Sequence, residues 1–145
     1  NTGSQSLASH PPNIWNQKMK RHEKLQDLSR EHYRALKLAL LAKRAAQSGE
    51  LEQILAAGAS CVAAFASDLE PHFRVEESTW LPALLKSGAT DLVSRTEHDH
   101  AELRSLASRL QTPDAAILLA FAESLTAHVR FEERELFEAI ETLLK

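Results

Sequence analysis

The sequence contains few of the residues that build turn-rich or cross-linked folds. Its 145 residues include four glycines, five prolines and one cysteine. So little glycine and proline excludes an architecture made mainly of turns. The single cysteine, Cys61, cannot form a disulfide within the chain. Because it stands in the apolar run 61–65, we expect a buried, unreactive thiol, which agrees with a cytoplasmic location.

The charge and the apolar runs argue against two classes of partner. The formal net charge is −3, and no block of Lys and Arg interleaved with aromatic residues occurs, so nothing indicates nucleic-acid binding. No apolar run approaches the roughly 20 residues that a membrane span needs, and we expect no membrane partner. The polar start, NTGSQSLASHPPN, lacks the apolar stretch of a signal peptide. We therefore interpret residues 1–15 as a flexible lead-in to one domain over residues 16–145.

β-branched residues are also scarce, and long segments rich in Leu, Ala, Glu, Arg and Lys predict helices. The predicted helices cover residues 16–47, 50–86, 91–110 and a last segment that begins at 112–114. Gly49 and Gly88 suit the ends of the first two helices, and Thr112-Pro113 resembles an N-cap followed by proline at the first helical position. Pro71 is expected to kink the second helix. The short connections predict an all-α, up-down-up-down antiparallel four-helix bundle.

Histidine is the abundant residue, with seven copies, and one pattern that contains it occurs twice. HFRVEE covers residues 72–77, and HVRFEE covers residues 128–133. Helical periodicity places the His of each copy, and the Glu four residues later, on an otherwise apolar face. A carboxylate that faces a core is costly unless it is paired, protonated or bound to a metal.

The first and third helices each add one inward histidine. Periodicity aligns His32 and His100 with the apolar faces of their helices. His98 lies about 200° from His100 around the helix, so only one of the two can face the core, and we assign His100. His10 falls in the lead-in, and about 15 Å of helix separates His22 from His32.

Together these residues predict a metal site in the core of the bundle. The predicted ligands are His32, His72, Glu76, His100, His128 and Glu132. Imidazole and carboxylate together suit Fe, Mn or Zn, and a carboxylate can bridge two cations. Two divalent cations bring four positive charges, which two glutamates and a bridging hydroxide partly neutralise. This charge balance favours a binuclear site.

Two further expectations concern the glutamates of the repeat. Without metal, Glu76 and Glu132 face apolar stripes, and we expect them to resist ionisation. Replacing both with glutamine should then leave the metal-free protein no less stable. Glu77 and Glu133 point about 100° away from them around the helix, so their roles are solvent exposure or support of a ligand.

Four stretches resemble the helical signatures of the hemerythrin-like, or HHE cation-binding, domain family. They read REHYRAL, PHFRVEESTWLPAL, DHAELRSL and HVRFEERELF, and the similarity covers roughly residues 22 to 144. The resemblance implies a four-helix bundle that holds a non-haem, oxo- or hydroxo-bridged di-iron centre, for which Zn or Mn could substitute. It implies that the four histidines are terminal ligands and that Glu76 and Glu132 bridge the metals.

The sequence departs from the oxygen-carrying members of that family at two positions. They have a further His one turn before the position of His100, where this chain has Thr96. They also use an Asp five residues after the last ligand His, whereas Glu132 follows His128 by four. Water, Glu97 or a shifted His98 would have to complete the ligands of one iron.

Three classes of function follow from this reading. We favour a cytoplasmic metal-binding protein that senses, binds or detoxifies O2, NO, peroxide or iron. The alternatives are a di-iron enzyme that activates O2 or peroxide and a metal-free structural or interaction bundle. The expected partners are metal ions and a small diatomic ligand such as O2 or NO.

Overall fold

The fold is a bundle of four antiparallel helices. A computed structural model describes residues 21–145. Helix α1 spans Glu23–Ser48, α2 spans Leu51–Lys86, α3 spans Thr90–Arg109 and α4 spans residues 115–143. The predicted all-α bundle is confirmed, and residues 21–145 contain no strand. The predicted lead-in, His10 and the predicted helical residues 16–20 lie outside the described residues.

The helix ends agree with the predicted capping at two of three places. Gly49 and Gly88, with φ of 67° and 95°, follow α1 and α2 in the left-handed region that glycine adopts readily. The predicted N-cap of α4 at Thr112 is wrong, because the Asp114 carboxylate accepts a hydrogen bond from the Ile117 amide at 2.8 Å. Pro113 therefore precedes α4 and packs against Gly58 of α2.

Helices α2 and α4 contain wider, π-helical turns. In α2 these turns cover Phe65–Leu69 and Glu76–Trp80, and in α4 the turn covers Glu132–Leu136. Each turn of α2 shortly precedes a proline, whose missing N–H and bulky ring disfavour a regular α-helical turn. Helix α2 continues through Pro71, so the disturbance expected there takes the form of a π-helical turn. The turn in α4 has no proline nearby, and such isolated π-helical turns often mark functional sites.

The core consists of two apolar clusters, one toward each end of the bundle. Each helix packs against the next, and α4 packs against α1, so the order around the bundle is α1, α2, α3, α4. The largest buried side chains of the first cluster are Phe73, Leu103, Leu110, Leu118, Phe121 and Leu125. Those of the second cluster are Leu25, Leu84, Leu136, Phe137 and Ile140.

Two properties of α2 bear on the sequence expectations. Cys61 is buried in the first apolar cluster, and burial raises the pKa of its thiol to about 11, as expected of an unreactive cysteine. Helix α2 is long and apolar enough to cross a membrane by length and composition alone, so the expectation that no segment approaches a span was too strong. The core helix of a bundle can have the same length and composition, and Ile54 and Ala57 of α2 pack into the bundle core.

Candidate metal centre

A polar layer separates the two apolar clusters. It contains the six residues that the sequence predicted as ligands, and none of them is more than 4% exposed. Helices α1 and α3 each contribute one histidine, and α2 and α4 each contribute a histidine and a glutamate. His100 is fully buried while His98 is exposed, which agrees with the assignment made from helical periodicity.

The six side chains form two overlapping groups of four. One group consists of His32, His72, Glu76 and Glu132, and the other of Glu76, His100, His128 and Glu132. Within each group, one donor atom per residue lies within 4.8 Å of the others. Both glutamates belong to both groups, as a pair of bridging carboxylates would. Each group could hold a metal ion, and each consists of two imidazoles and the same two carboxylates.

The inner atoms of this layer contact one another closely. The Nε2 atom of His32 lies 2.8 Å from Glu132 Oε1, and that of His100 lies 3.0 Å from Glu76 Oε1. Within α2, His72 Nε2 lies 3.0 Å from Glu76 Oε2, and within α4 His128 Nε2 lies 2.9 Å from Glu132 Oε2. All four imidazoles thus direct Nε2 toward the two glutamates.

Three of these inner atoms make no hydrogen bond of suitable geometry among the described residues. They are Glu76 Oε2, Glu132 Oε2 and His128 Nε2. Their close contacts are the His–Glu pairs within α2 and α4. Nitrogen and oxygen donors in this combination fit Fe, Mn or Zn. The residues present therefore fit the metal centre that the sequence predicted.

Four further carboxylates contact the outer nitrogen, Nδ1, of the four histidines in the layer. They are Glu31, Glu77, Asp99 and Glu133, which we call the carboxylate ring. The contacts are Glu31 to His72 at 2.7 Å, Glu77 to His100 at 2.6 Å, Asp99 to His128 at 2.9 Å and Glu133 to His32 at 2.7 Å. Each carboxylate comes from one helix and contacts the histidine of the next, so the contacts run α1 to α2 to α3 to α4 and back to α1.

The sequence predicted part of this ring. Support of a ligand was one of the two roles considered for Glu77 and Glu133, and their contacts agree with it. Glu31 and Asp99 were missed, although each directly precedes an inward histidine in the sequence. A carboxylate adjacent to a candidate ligand was the available signal. Its partner could not be identified because that partner lies on the neighbouring helix.

The centre has an internal two-fold correspondence that relates α1 to α3 and α2 to α4. The contact of Glu31 with His72 matches that of Asp99 with His128. The contacts of Glu77 with His100 and of Glu133 with His32 match in the same way. The repeat HFRVEE and HVRFEE is thus the part of this correspondence that is visible in the sequence.

The π-helical turns place two consecutive glutamates in useful positions. Glu76 and Glu132 each begin such a turn, and each is followed by a member of the carboxylate ring. A wider turn reduces the angle between successive side chains, which brings the second glutamate closer to the core than in a regular α-helix. Glu133 is only 6% exposed, whereas the side chain of Glu77 in the matching turn is 31% exposed. One Glu-Glu pair can therefore supply an inner carboxylate and an outer one.

Cations and aromatic rings hold the outer groups in place. Arg104 donates hydrogen bonds to Glu77 and Glu70, and Arg95 donates to Asp99. Glu133 accepts hydrogen bonds from Ser29 and from the buried Arg21. Two histidines also stack on phenylalanine rings, His100 on Phe73 at a centroid distance of 3.9 Å and His32 on Phe137 at 4.9 Å.

The electrostatics of the metal-free layer differ from the sequence expectation. Burial opposes charge on His100, but contacts with Glu132 and Glu76 outweigh it and raise the pKa to about 9. The pKa of His128 rises to about 10 despite burial, because Glu132 and Asp99 lie beside it. Burial would raise the pKa of Glu132, yet the charge of His128 and contacts with His100 and His32 hold it well below its usual range.

The expectation that both inner glutamates resist ionisation is therefore wrong for Glu132. Helical periodicity predicted a glutamate that faces an apolar stripe. In the structure Glu132 lies beside imidazoles of its own and other helices, which become cations when they bind a proton. The metal-free layer is thus stabilised by ion pairs between histidines and glutamate.

The position of Thr96 is also defined. Thr96 is fully buried one turn before His100, and its hydroxyl donates a hydrogen bond to the Leu92 carbonyl at 2.8 Å. Glu97 and His98, which the sequence left open as completing groups, are both exposed and belong to neither group of four. Among the described residues, each half of the centre therefore offers the same set of donors.

Comparison with known proteins identifies a family. The model of the hemerythrin HHE cation-binding domain matches residues 23–140, which include all six inner residues and the whole carboxylate ring. Neither the curated proteins nor the solved structures contain a match to the chain.

Proposed function

The chain belongs to the hemerythrin HHE cation-binding domain family, and on that basis we propose that it binds two metal ions, most favourably iron, in the polar layer. The observation that carries the proposal is the pair of four-residue groups that share Glu76 and Glu132. His32 and His72 would hold one ion, and His100 and His128 the other. Hydroxide or oxide between the ions would lower the net positive charge of the buried centre.

The proposed role is the binding of a small molecule at this centre. Four protein donors per ion leave coordination positions for water or for a diatomic molecule such as O2 or NO, which non-haem iron binds at open positions. The protein would accordingly sense, carry or detoxify such a molecule, or bind iron itself. We also propose the cytoplasm as its location, which cell fractionation tests.

Metal analysis tests the proposed centre directly. Protein produced with ample iron and purified without added metal should contain about two iron ions per chain, because the shared carboxylates suit two cations. It should also show near-ultraviolet charge-transfer bands of a bridged ferric pair. A protein that takes up none of Fe, Mn or Zn on titration would contradict the proposal.

A matched pair of variants tests whether the metal ions bind in the polar layer of the bundle. His100→Ala should lower the metal content, because His100 is buried beside both glutamates. His98→Ala is the control, since His98 lies on the same helix two residues away but is exposed. Equal metal loss in both variants would show that the ions bind elsewhere.

A further inference from the structure

We propose that the carboxylate ring positions the four imidazoles for metal binding through Nε2 and so sets the metal affinity of the centre. The proposal rests on the proposed function, since it assigns four residues a role toward the ions of that centre. These residues, Glu31, Glu77, Asp99 and Glu133, would touch the ligands rather than the ions.

The chemistry of imidazole makes this role specific. A neutral imidazole carries one N–H, and an ionised carboxylate can only accept hydrogen bonds. A carboxylate at Nδ1 therefore holds the proton there and leaves the Nε2 lone pair available for a metal. All four Nδ1 atoms contact a ring carboxylate at 2.6 to 2.9 Å. The Nε2 atoms point the opposite way, toward Glu76 and Glu132.

The carboxylate ring also orients each imidazole, because each carboxylate lies on a different helix from the histidine that it contacts. The backbone of its own helix fixes the Cα position of a histidine, but the imidazole can still rotate about the side-chain bonds. A carboxylate on the adjacent helix restricts that rotation. The stacking of Phe73 on His100 and of Phe137 on His32 restricts it further. Four such contacts, one at each helix junction, would keep all four donors aimed at one layer.

The four positions are not equally shielded from solvent. The side chains of Glu133 and Asp99 are 8% and 13% exposed, whereas those of Glu77 and Glu31 are 31% and 34% exposed. Solvent weakens charged hydrogen bonds. Substitution of Glu133 or Asp99 should therefore reduce metal affinity more than substitution of Glu31.

Cobalt(II) alone serves as the probe, with a competing chelator to measure affinity. Asp99→Ala removes the contact with His128 and should weaken binding about 10- to 100-fold, whereas the number of ions bound stays the same. Asp99→Asn keeps an oxygen acceptor but loses the charge, and its affinity should fall between Asp99→Ala and the wild type. Glu102→Gln is the matched control, because it removes an exposed carboxylate of the same helix and should change nothing.

Proton NMR of the cobalt-loaded protein separates positioning from packing. The Nδ1 protons of bound imidazoles should give strongly shifted signals that disappear in D2O. The wild type should show such a signal for each of the four ligand histidines, and Asp99→Ala should lose or rapidly exchange the one from His128. A change in packing alone would leave this proton unaltered.

The outcomes that overturn the inference differ from those that overturn the proposed function. If the wild type binds cobalt but Asp99→Ala binds as tightly as Glu102→Gln, the ring does not position the ligands. If Asp99→Ala loses one whole ion, Asp99 is itself a ligand and the inference is wrong. If the wild type binds no cobalt, both proposals fail. Circular dichroism confirms that each variant is folded, and Asp99→Asn carries the test if Asp99→Ala is not.

Discussion

At the scale of single residues, protons would compete with the proposed metal ions for the same nitrogen atoms. The pKa values of His100 and His128 are raised to about 9 and about 10, so both hold protons at neutral pH in the metal-free protein. Glu132 is ionised there, because its pKa is held well below the usual range. Metal binding at neutral pH must therefore displace protons from the histidines.

The same pKa values predict how the stability of the metal-free protein depends on pH. An imidazole whose pKa rises from about 6.5 on folding stabilises the fold fully below pH 6.5, and this contribution is lost as pH rises through the folded value. Between pH 6.5 and pH 9 the free energy of unfolding should therefore fall by roughly 3 kcal/mol or more. Urea unfolding of chelator-treated protein at the two pH values measures it.

The metal-loaded protein is the control for this measurement. Its ligand nitrogens would hold metal rather than protons, so its stability should not fall over the same range. A metal-free protein whose stability is flat or rises from pH 6.5 to pH 9 would show that the histidines are neutral in the folded state.

At the scale of elements, α2 lies close to the connection that precedes α4 at Gly58. A Cβ atom at this position would lie 2.6 Å from Cγ of Pro113, at the connection that precedes α4. Gly58→Ala should destabilise the protein by about 1 kcal/mol, because the overpacking outweighs the gain in helix propensity. The measurement is urea unfolding.

A second substitution shows whether the clash is the cause. Pro113→Ala removes the ring that a side chain at position 58 would meet. The free energy of unfolding of the double variant should then be higher than the sum of the effects of the two single substitutions predicts. Additive changes would mean that Gly58→Ala acts elsewhere.

The elements themselves were largely predictable, but their internal irregularities were not. The helices were predictable from periodicity. Their ends at Gly49 and Gly88 were predictable because a helix commonly ends at a residue with a left-handed backbone, which glycine adopts readily. The cap at Asp114 was misplaced by two residues, because Thr112 and Asp114 are both good caps and only packing selects between them. Nothing in HVRFEERELF signals a π-helical turn, since it contains neither proline nor glycine.

At the scale of the whole molecule, the polar layer interrupts an otherwise continuous core. The six inner residues were predictable because each lies on the inward face of its own helix. Only two members of the carboxylate ring, Glu77 and Glu133, were considered from the sequence. The contacts of the ring join different helices, so they depend on which helices are neighbours. Local periodicity finds residues that face the core, whereas bonds between helices require the assembled bundle.

Removing metal should test the bundle as a whole. Metal that binds only the folded chain should stabilise it, by about 4 kcal/mol when its free concentration is 1,000 times Kd. Thermal unfolding followed by circular dichroism, with chelator or with Zn²⁺, measures this difference. An equal melting temperature in both conditions would contradict binding in the core.

The double variant Glu76→Gln, Glu132→Gln is the informative comparison. It should show no increase in melting temperature with Zn²⁺, because both shared carboxylates are changed. Its metal-free form should also melt below the metal-free wild type at neutral pH, because the ion pairs between Glu132 and the histidines are lost. This reverses the expectation from sequence, and a melting temperature at or above the wild type would restore it.

The two-fold correspondence means that the molecule consists of two similar helical hairpins, each carrying half of a centre. Helices α1 and α2 supply two imidazoles, one inner glutamate and two outer carboxylates, and α3 and α4 supply the matching set. Neither hairpin contains a complete group of four, because each group takes one of its glutamates from the other hairpin. Only the short connection around Gly88 joins the halves covalently. Each hairpin is thus an incomplete chelator, and the proposed metal ions would add a link across the polar layer to the apolar packing that already joins the two hairpins.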